Sequence, residues 1–379
     1  VEGVPSGPAD PWRVAAHAFA AERVRPEAVR IDRDDRLPDG LVEGLARGGF
    51  LSLGIPEEWG GRGGNSRSIA AVLEELSWGS AAVGVLAAVH LSVASAPILA
   101  WGTEEQKDRF LRPLATGAQI GAFGLTEPGA GSDAAGLRSR YRKVDEGFVL
   151  DGRKMFISNA ARAGVVLVFA TSDPGLGRQG ISAFVVPTGT PGLSVAQRLD
   201  KLGLRGNETT ELVLDGVALG PEALLGPEGS GLRVALSSLA GGRIGIAACA
   251  LGVARAAFEE MRGNVRKDDA DWKRPVLARA FAELAAARAL VERAAARRDA
   301  GGPFSRDASV AKLVASRAAV AIASWGIDVA GPDGVRRGAA PERLLRDARV
   351  FPIVEGTTEI QEHVLARDLL ADGAEPNPL

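Results

Sequence analysis

The sequence predicts an α+β protein in three parts: an N-terminal α-helical domain, a middle domain of antiparallel β-barrel or sandwich type, and a C-terminal four-helix bundle. Three observations predict it. Apolar residues recur at helical spacing up to about Gly117, short apolar runs with Gly and Pro turns fill the stretch from about Gln119 to Leu219, and alanine-rich helical periodicity returns at Gly231. At 379 residues the chain exceeds what one core usually serves, in keeping with several subdomains. The expected boundaries are residues 1–117, 118–225 and 226–379.

Trp12, Ala16 and Phe19 open the first helix, and Ser68 to Trp78 and Glu104 to Ala115 follow as helices. The run Gly54-Ile-Pro-Glu-Glu-Trp-Gly-Gly-Arg-Gly-Gly64 is too rich in glycine for helix or strand and is a loop. Thr103 before Glu104, Glu105 and Gln106 is an N-cap with acids in the first turn. Ala81 to Trp101 is apolar enough to suggest a membrane span. It carries His90, Ser92, Ser95 and Pro97 without flanking basic residues, so a buried helix and no membrane insertion are expected.

In the middle, Phe148 to Leu150 ends in an Asp151-Gly152 turn before Lys154 to Ile157. Val165 to Ala170, Ser182 to Val186 and Leu212 to Val217 complete the strands, with no helices between them. Segments 231–262, 275–299, 305–330 and 356–370 are long enough for four helices, broken at Gly301-Gly302-Pro303 and at Gly331 to Gly334.

Composition narrows the function classes. Lys plus Arg number 45 and Asp plus Glu 47, a net charge of −2, which argues against a nucleic-acid or anionic-membrane binder. The single cysteine, Cys249, rules out an internal disulfide, and His17, His90 and His363 have no metal-ligand spacing, so no metal is expected. The opening residues carry Pro5, Pro8 and Asp10 without an apolar stretch, so no secretory signal and a cytoplasmic location are expected.

Three motifs carry chemistry. Phe123-Gly-Leu-Thr-Glu-Pro-Gly-Ala-Gly-Ser-Asp133 follows a short apolar strand and offers backbone N–H groups and hydroxyls, a loop able to lie against a polar heterocycle. In Lys154 to Asn159, alternation puts Phe156 and Ser158 on one face of a strand. Glu355, in Val354-Glu-Gly-Thr-Thr-Glu-Ile360, sits after an apolar run and before a helix start. It is either a helix-capping acid or a base in an apolar pocket with a raised pKa.

The order and spacing of these motifs resemble the acyl-CoA dehydrogenase family over nearly the whole chain. Ile55 to Gly61, Gly102 to Lys107, Gly242 to Ala248 and Leu344 to Ala348 add to the likeness. The resemblance implies FAD between the β domain and the bundle, in a homotetramer or dimer. It implies that Phe123, Leu125, Thr126 and Ser132 touch the flavin, that Phe156 packs on its ring and that Ser158 bonds near N5. Thr357 and Glu359 then contact the cofactor beyond Glu355, while Arg266 and Gly331 reach the pyrophosphate end of the neighbouring subunit's FAD from the bundle. On the substrate side it implies Ser132, Arg243 and Gly356. Arg243 orients the base or the substrate, or else forms an ordinary interhelix salt bridge. Glu355 would take the α-proton of an acyl thioester while hydride leaves the β-carbon, and an electron-transfer flavoprotein or similar acceptor would be the partner.

Some positions depart from the family pattern. Asp268 and Asp269 follow Arg266 where a carboxamide-rich contact is usual, and Pro332 after Gly331 has no N–H for a phosphate, so FAD is expected to be mounted differently at that end. Ala240 replaces an acid near the substrate handle, and Val354 stands where a Tyr commonly precedes the base. A branched or functionalised acyl-CoA, or an acyl group on a carrier protein, fits such a pocket. The other readings are a flavin oxidase or monooxygenase on the same fold, and a non-catalytic relative.

Overall fold

The computed structural model describes residues 10–267 and 272–371. Helices α1 (Pro11–Phe19), α2 (Ala28–Asp34), α3 (Asp39–Arg47), α4 (Ser66–Gly79), α5 (Ala81–Val89), α6 (Ala96–Trp101), α7 (Glu104–Gln106) and α8 (Arg112–Ala115) build the first part. Asp10 starts α1 by accepting the Trp12 N–H at 3.0 Å, with Pro11 in the first turn where its missing N–H costs nothing. Thr103 and Gln106 cap each other's backbone at α7, the reciprocal box that satisfies two otherwise orphaned donors.

The apolar segment from Ala81 runs as α5, one π-helical stretch (His90–Ser95) and α6, and 83% of its most apolar stretch is buried inside the protein. The wide turn has causes: Ser95 Oγ donates to the His90 carbonyl at 2.8 Å, and Pro97 offers no N–H to the helical ladder. Fully buried His90 accepts the Gly121 N–H on Nδ1 at 3.2 Å, so its proton sits on Nε2, 3.0 Å from the Leu51 carbonyl. It thereby fixes this helix to the strand that leads into the Phe123–Asp133 loop. Burial pushes its pKa down to about 4, so it stays neutral.

Eight strands form the middle part: β1 (Ile120–Gly124), β2 (Arg140–Val144), β3 (Gly147–Ser158), β4 (Ala163–Thr171), β5 (Ile181–Pro187), β6 (Leu193–Arg198), β7 (Thr209–Leu219) and β8 (Leu224–Leu225). Their order is β6-β7-β3-β2-β4-β5-β8, with β1 beside β4. The sheet is mixed. Most neighbours are antiparallel as expected, but β1 runs parallel to β4 and β2 meets β4 in parallel at Arg140 and Thr171. The reason is topological: the β2–β3 hairpin intervenes between β1 and β4, a connection long enough to bring the chain back in the same direction. Tyr141, Phe148 and Phe184 fill one face, their ring centres 5.1–5.9 Å apart.

The C-terminal part contains α9 (Gly231–Gly263), α10 (Lys273–Asp299), α11 (Ser305–Ala330), α12 (Ala340–Ala348) and α13 (Thr358–Leu369). Helices α9, α10 and α11 pack on one another, and α9 also packs along α4. Close approach to α4 depends on Gly252, where a β-carbon would lie 2.3 Å from the Glu74 carbonyl. An ion network pins the same junction. Arg13 Nη1 lies 3.0 Å from both Glu74 and Glu75, Arg255 Nη2 is 2.6 Å from Glu75, and Arg288 Nη2 is 2.5 Å from Glu74. Both carboxylates are almost wholly buried. Helix α12 is additional to the four expected. It docks the bundle on the β domain, where buried Asp347 accepts the Leu204 N–H at 2.7 Å, and on α2, where the Arg346 fork meets Asp32 at 2.7 Å.

Candidate active site

Glu355 lies between α12 and α13. Thr357, and not Glu355, caps α13, accepting the Ile360 N–H at 3.2 Å, so the capping alternative for Glu355 is removed. The chain turns left-handed at Glu355 (φ 51°) and again at Gly356 (φ 94°), a strain of about 1 kcal/mol at the non-glycine residue that neighbouring contacts must offset. The restraint is specific. Lys312 of α11, fully buried, donates its Nζ to the Gly356 carbonyl at 2.6 Å, and buried Gln361 donates to the same oxygen at 3.1 Å.

This turn drives the carboxylate inward against α9. A β-carbon on Gly242 would stand 2.1 Å from Oε2, so only glycine leaves room for the acid, with Val93 beside it. Neither carboxylate oxygen has a hydrogen-bond partner among the described residues. Burial raises the Glu355 pKa to about 7, against the pull of the Lys312 and Arg243 charges. Burial likewise depresses Lys312 to about 8 and lowers Arg243. Arg243 makes no salt bridge within 4 Å among the described residues; its Nη1 donates to Ser309 Oγ of α11 at 3.2 Å. The N–H groups of Glu355 and Gly356 have no protein acceptor among the described residues, which leaves two donors beside the acid.

The Phe123–Asp133 loop is anchored by a pair that sequence reasoning did not single out. Lys154, wholly buried on β3, donates to Glu127 at 2.6 Å and to the Leu125 carbonyl at 3.3 Å, while Glu127 accepts the Arg138 and Ser139 N–H groups at 2.6 and 2.9 Å. The Met155 N–H bonds the Thr126 carbonyl at 2.8 Å, tying the loop to β3. A bulge then interrupts β3: Lys154 faces Leu212, but Ile157 faces Thr210, so three steps on one strand match two on the other. Phe156 sits in that bulge at φ 61° with 65% of its surface exposed. Phe156 and the half-buried Ser158 flank buried Ile157 along β3, and the left-handed bulge at Phe156 departs from the strict alternation expected.

An exposed aromatic ring held in a strained conformation on β3, together with hydroxyls of Thr126, Ser132 and Ser158 that make no bond to a protein group among the described residues, offers a flat apolar face and unused polar groups suited to a flat heterocycle. These residues fit an isoalloxazine ring. Half-buried Phe123 packs against Phe169 with ring centres 4.9 Å apart and planes tilted by 60°, and Leu125 is buried in the same apolar cluster. Thr357 and exposed Glu359 stand at the start of α13, next to the acid in sequence.

Arg266 and Gly331 do not join this site within one chain. Arg266 lies just past the end of α9 and Gly331 just past the end of α11, 24 and 19 residues beyond Gly242 and Lys312, respectively. At 1.5 Å per helical residue that is roughly 30 Å along the bundle. Asp268 and Asp269 lie outside the described residues. Of the residues that matter here, Lys312 and Gln361 were not anticipated. The signal was available for Lys312, a cation three residues from Ser309 and flanked by alanine, leucine and valine in an Ala/Val-rich helix.

Family models describe three successive portions of this chain: the acyl-CoA dehydrogenase N-terminal domain matches residues 10–118, the middle domain 122–217 and the C-terminal domain 229–370. A Bacillus subtilis acyl-CoA dehydrogenase is 41% identical over 93% of this chain and 95% of its own length. Among solved structures, butyryl-CoA dehydrogenase from Megasphaera elsdenii is 36% identical with a TM-score of 0.92, over 95% of this chain and 97% of that one. The prolyl acyl carrier protein oxidase AnaB is 28% identical with a TM-score of 0.91, over 95% and 98%.

Proposed function

The chain belongs to the acyl-CoA dehydrogenase family, an oxidoreductase family acting on CH–CH bonds, and on that premise we propose that it desaturates a short acyl thioester between the α and β carbons, with Glu355 as the base. One observation carries this reading: a buried carboxylate with no hydrogen-bond partner, held by a strained backbone with its pKa raised to about 7. A solvated carboxylate is too weak a base for an α-proton, and removing it from water is what raises its basicity. The N–H groups of Glu355 and Gly356 would polarise the thioester carbonyl and stabilise the developing enolate. The charges of Arg243 and Lys312 favour the ionised form of the acid against the effect of burial, without pairing with it directly. FAD, when bound, supplies the hydride acceptor. Phe156 would face its ring, and Thr126, Ser132, Ser158 and Thr357 would bond its polar edge and side chain, with Glu359 near the outer part.

The site distinguishes neither CoA nor a carrier protein as the thioester handle, and the similarity to butyryl-CoA dehydrogenase and to a carrier-protein oxidase supports both classes. By resemblance the partners would be an electron-transfer flavoprotein and further copies of this chain; a cytoplasmic location is proposed from the sequence alone. The likeness to AnaB also supports a second reading, in which the reduced enzyme is reoxidised directly by oxygen. Anaerobic addition of acyl thioesters to the yellow holoprotein tests the main reading. Bleaching that Glu355→Gln abolishes is the expected result; bleaching that survives in Glu355→Gln means another base. Rapid reoxidation in air with peroxide release favours the oxidase.

A further inference from the structure

Two cations act on the Glu355 carboxylate through their charge, and neither pairs with it. Lys312 donates its Nζ to the Gly356 carbonyl instead. Arg243 directly follows Gly242 on α9, and Glu355 Oε2 stands 2.1 Å from where a Gly242 β-carbon would be. Successive Cα atoms are about 3.8 Å apart, so the acid lies within reach of an arginine side chain.

What holds Arg243 off is Ser309 of α11. Its Oγ accepts from Arg243 Nη1 at 3.2 Å, the one hydrogen bond of that guanidinium among the described residues, and the buried Nε has no partner. Ser309 is wholly buried and lies three residues before Lys312, so both project from one face of α11. Along that face one cation is held by an acceptor and the other is turned to a backbone carbonyl. A guanidinium fork and a buried carboxylate with free oxygens would otherwise close on each other through two parallel hydrogen bonds. A carboxylate paired in that way has a lower proton affinity and takes an α-proton less readily.

The other titratable groups around the acid do not substitute for this arrangement. Cys249 of α9 is a buried thiol with its pKa pushed up to about 12, and His90, in the π-helical stretch that carries Val93, stays neutral. On α11, Asp307 already pairs with Arg293 and Arg297 at 2.8 and 2.9 Å. Glu359 and Arg367 of α13 are exposed, and their charges act on Lys312 and Arg243 respectively.

We propose that Ser309 is a positioning residue for the base: by holding the Arg243 guanidinium on α11 it keeps the Glu355 carboxylate unpaired. The proposal rests on the reading of Glu355 as the base and adds a residue that this reading does not use.

The FAD-loaded parent, Ser309→Ala and Ser309→Thr are compared in two measurements. The first is the pH dependence of kcat/KM for anaerobic flavin reduction by butyryl- and hexanoyl-CoA. In Ser309→Ala the guanidinium is free to close on the acid, so the midpoint should fall by about one pH unit or more, the shift an adjacent arginine brings to a carboxylate, and the plateau by about 10-fold. Ser309→Thr keeps the hydroxyl and should keep the parent's midpoint. The second measurement needs no turnover: the change in Tm at pH 8 caused by Glu355→Gln in each background. In the parent that substitution relieves an unpaired buried charge and raises the Tm. In Ser309→Ala it removes half of a pair, so the gain should vanish or reverse. A midpoint unmoved or raised in Ser309→Ala, an equal fall in Ser309→Thr, or a gain in Tm that persists in Ser309→Ala would overturn the proposal and leave Glu355 as the base. If neither thioester reduces the flavin, the dehydrogenase reading falls and the Tm comparison alone decides the role of Ser309.

Discussion

At the scale of single residues, the site turns on how a carboxylate is kept buried without a partner. Its stability effect has a definite sign. Glu355 has a folded pKa of about 7 against an ordinary 4.5, so the fold prefers it neutral. The penalty is absent below about pH 4.5, grows between 4.5 and 7, and is complete above 7 at about 3 kcal/mol. Glu355→Gln is therefore expected to raise the melting temperature at pH 8 and to leave it unchanged near pH 4, while lowering turnover by about 10³-fold or more. A variant less stable than the parent at pH 8 would contradict the burial argument. Wild-type kcat/KM should rise with pH through an apparent pKa near 7. Lys312→Met removes a favourable charge, so that midpoint should move upward; a downward move would mean Lys312 does not act on Glu355 through its charge. Phe156 is two-thirds exposed, so Phe156→Ala should change the melting temperature of the apoprotein little yet lower bound flavin after gel filtration.

At the scale of elements, α9 has the most to reconcile, because it is at once the core of the bundle, the partner of α4 and the floor of the site. Its glycines between Gly231 and Gly252 each admit a different neighbour, and Gly242 admits the base. Gly242→Ala should retain fold and flavin but displace the carboxylate by a fraction of an ångström to an ångström, and about 100-fold lower kcat/KM is expected. Unaltered activity would mean the acid has another productive position. Much of this was legible in the sequence. Helical periodicity located α9, α10, α11 and α13, a helix start was expected just after Glu355, and the Gly–Pro-rich stretch after Phe123 marked a loop. Helix α12 was not legible as an element, since nine residues with Pro341 in the first turn give too short a period to read. The bulge at Phe156 was not legible either. Alternation within one strand cannot reveal a register shift that depends on the partner strand. The Lys154–Glu127 anchor joins residues 27 apart, and the Lys312–Gly356 clamp joins residues 44 apart, so neither leaves a local pattern.

At the scale of the whole molecule, the Arg13–Glu74–Glu75–Arg255–Arg288 network locks the first helical part to the bundle, and the site lies along that same junction. Hydrogen bonds and charges from Arg255, His17 and Arg13 outweigh burial and hold the Glu75 pKa at about 2, below the ordinary 4.5. Its contribution is complete above about pH 4.5 and is lost as pH falls towards 2. Glu75→Gln should cost about 3–5 kcal/mol at pH 7, because it leaves buried arginines unpaired, and the cost should shrink in acid. Arg266 and Gly331 stand roughly 30 Å along the bundle from the Glu355 turn. If they serve a cofactor, it is one held mainly by another copy, so release of FAD on dilution should track dissociation followed by light scattering. Monomers that keep all their FAD would contradict that arrangement. The most direct test of the central claim is the anaerobic absorbance of the FAD-loaded enzyme on mixing with a series of short acyl thioesters. The site as described predicts rapid bleaching in the parent and none in Glu355→Gln with its FAD still bound; equal bleaching in both would show that Glu355 is not the base.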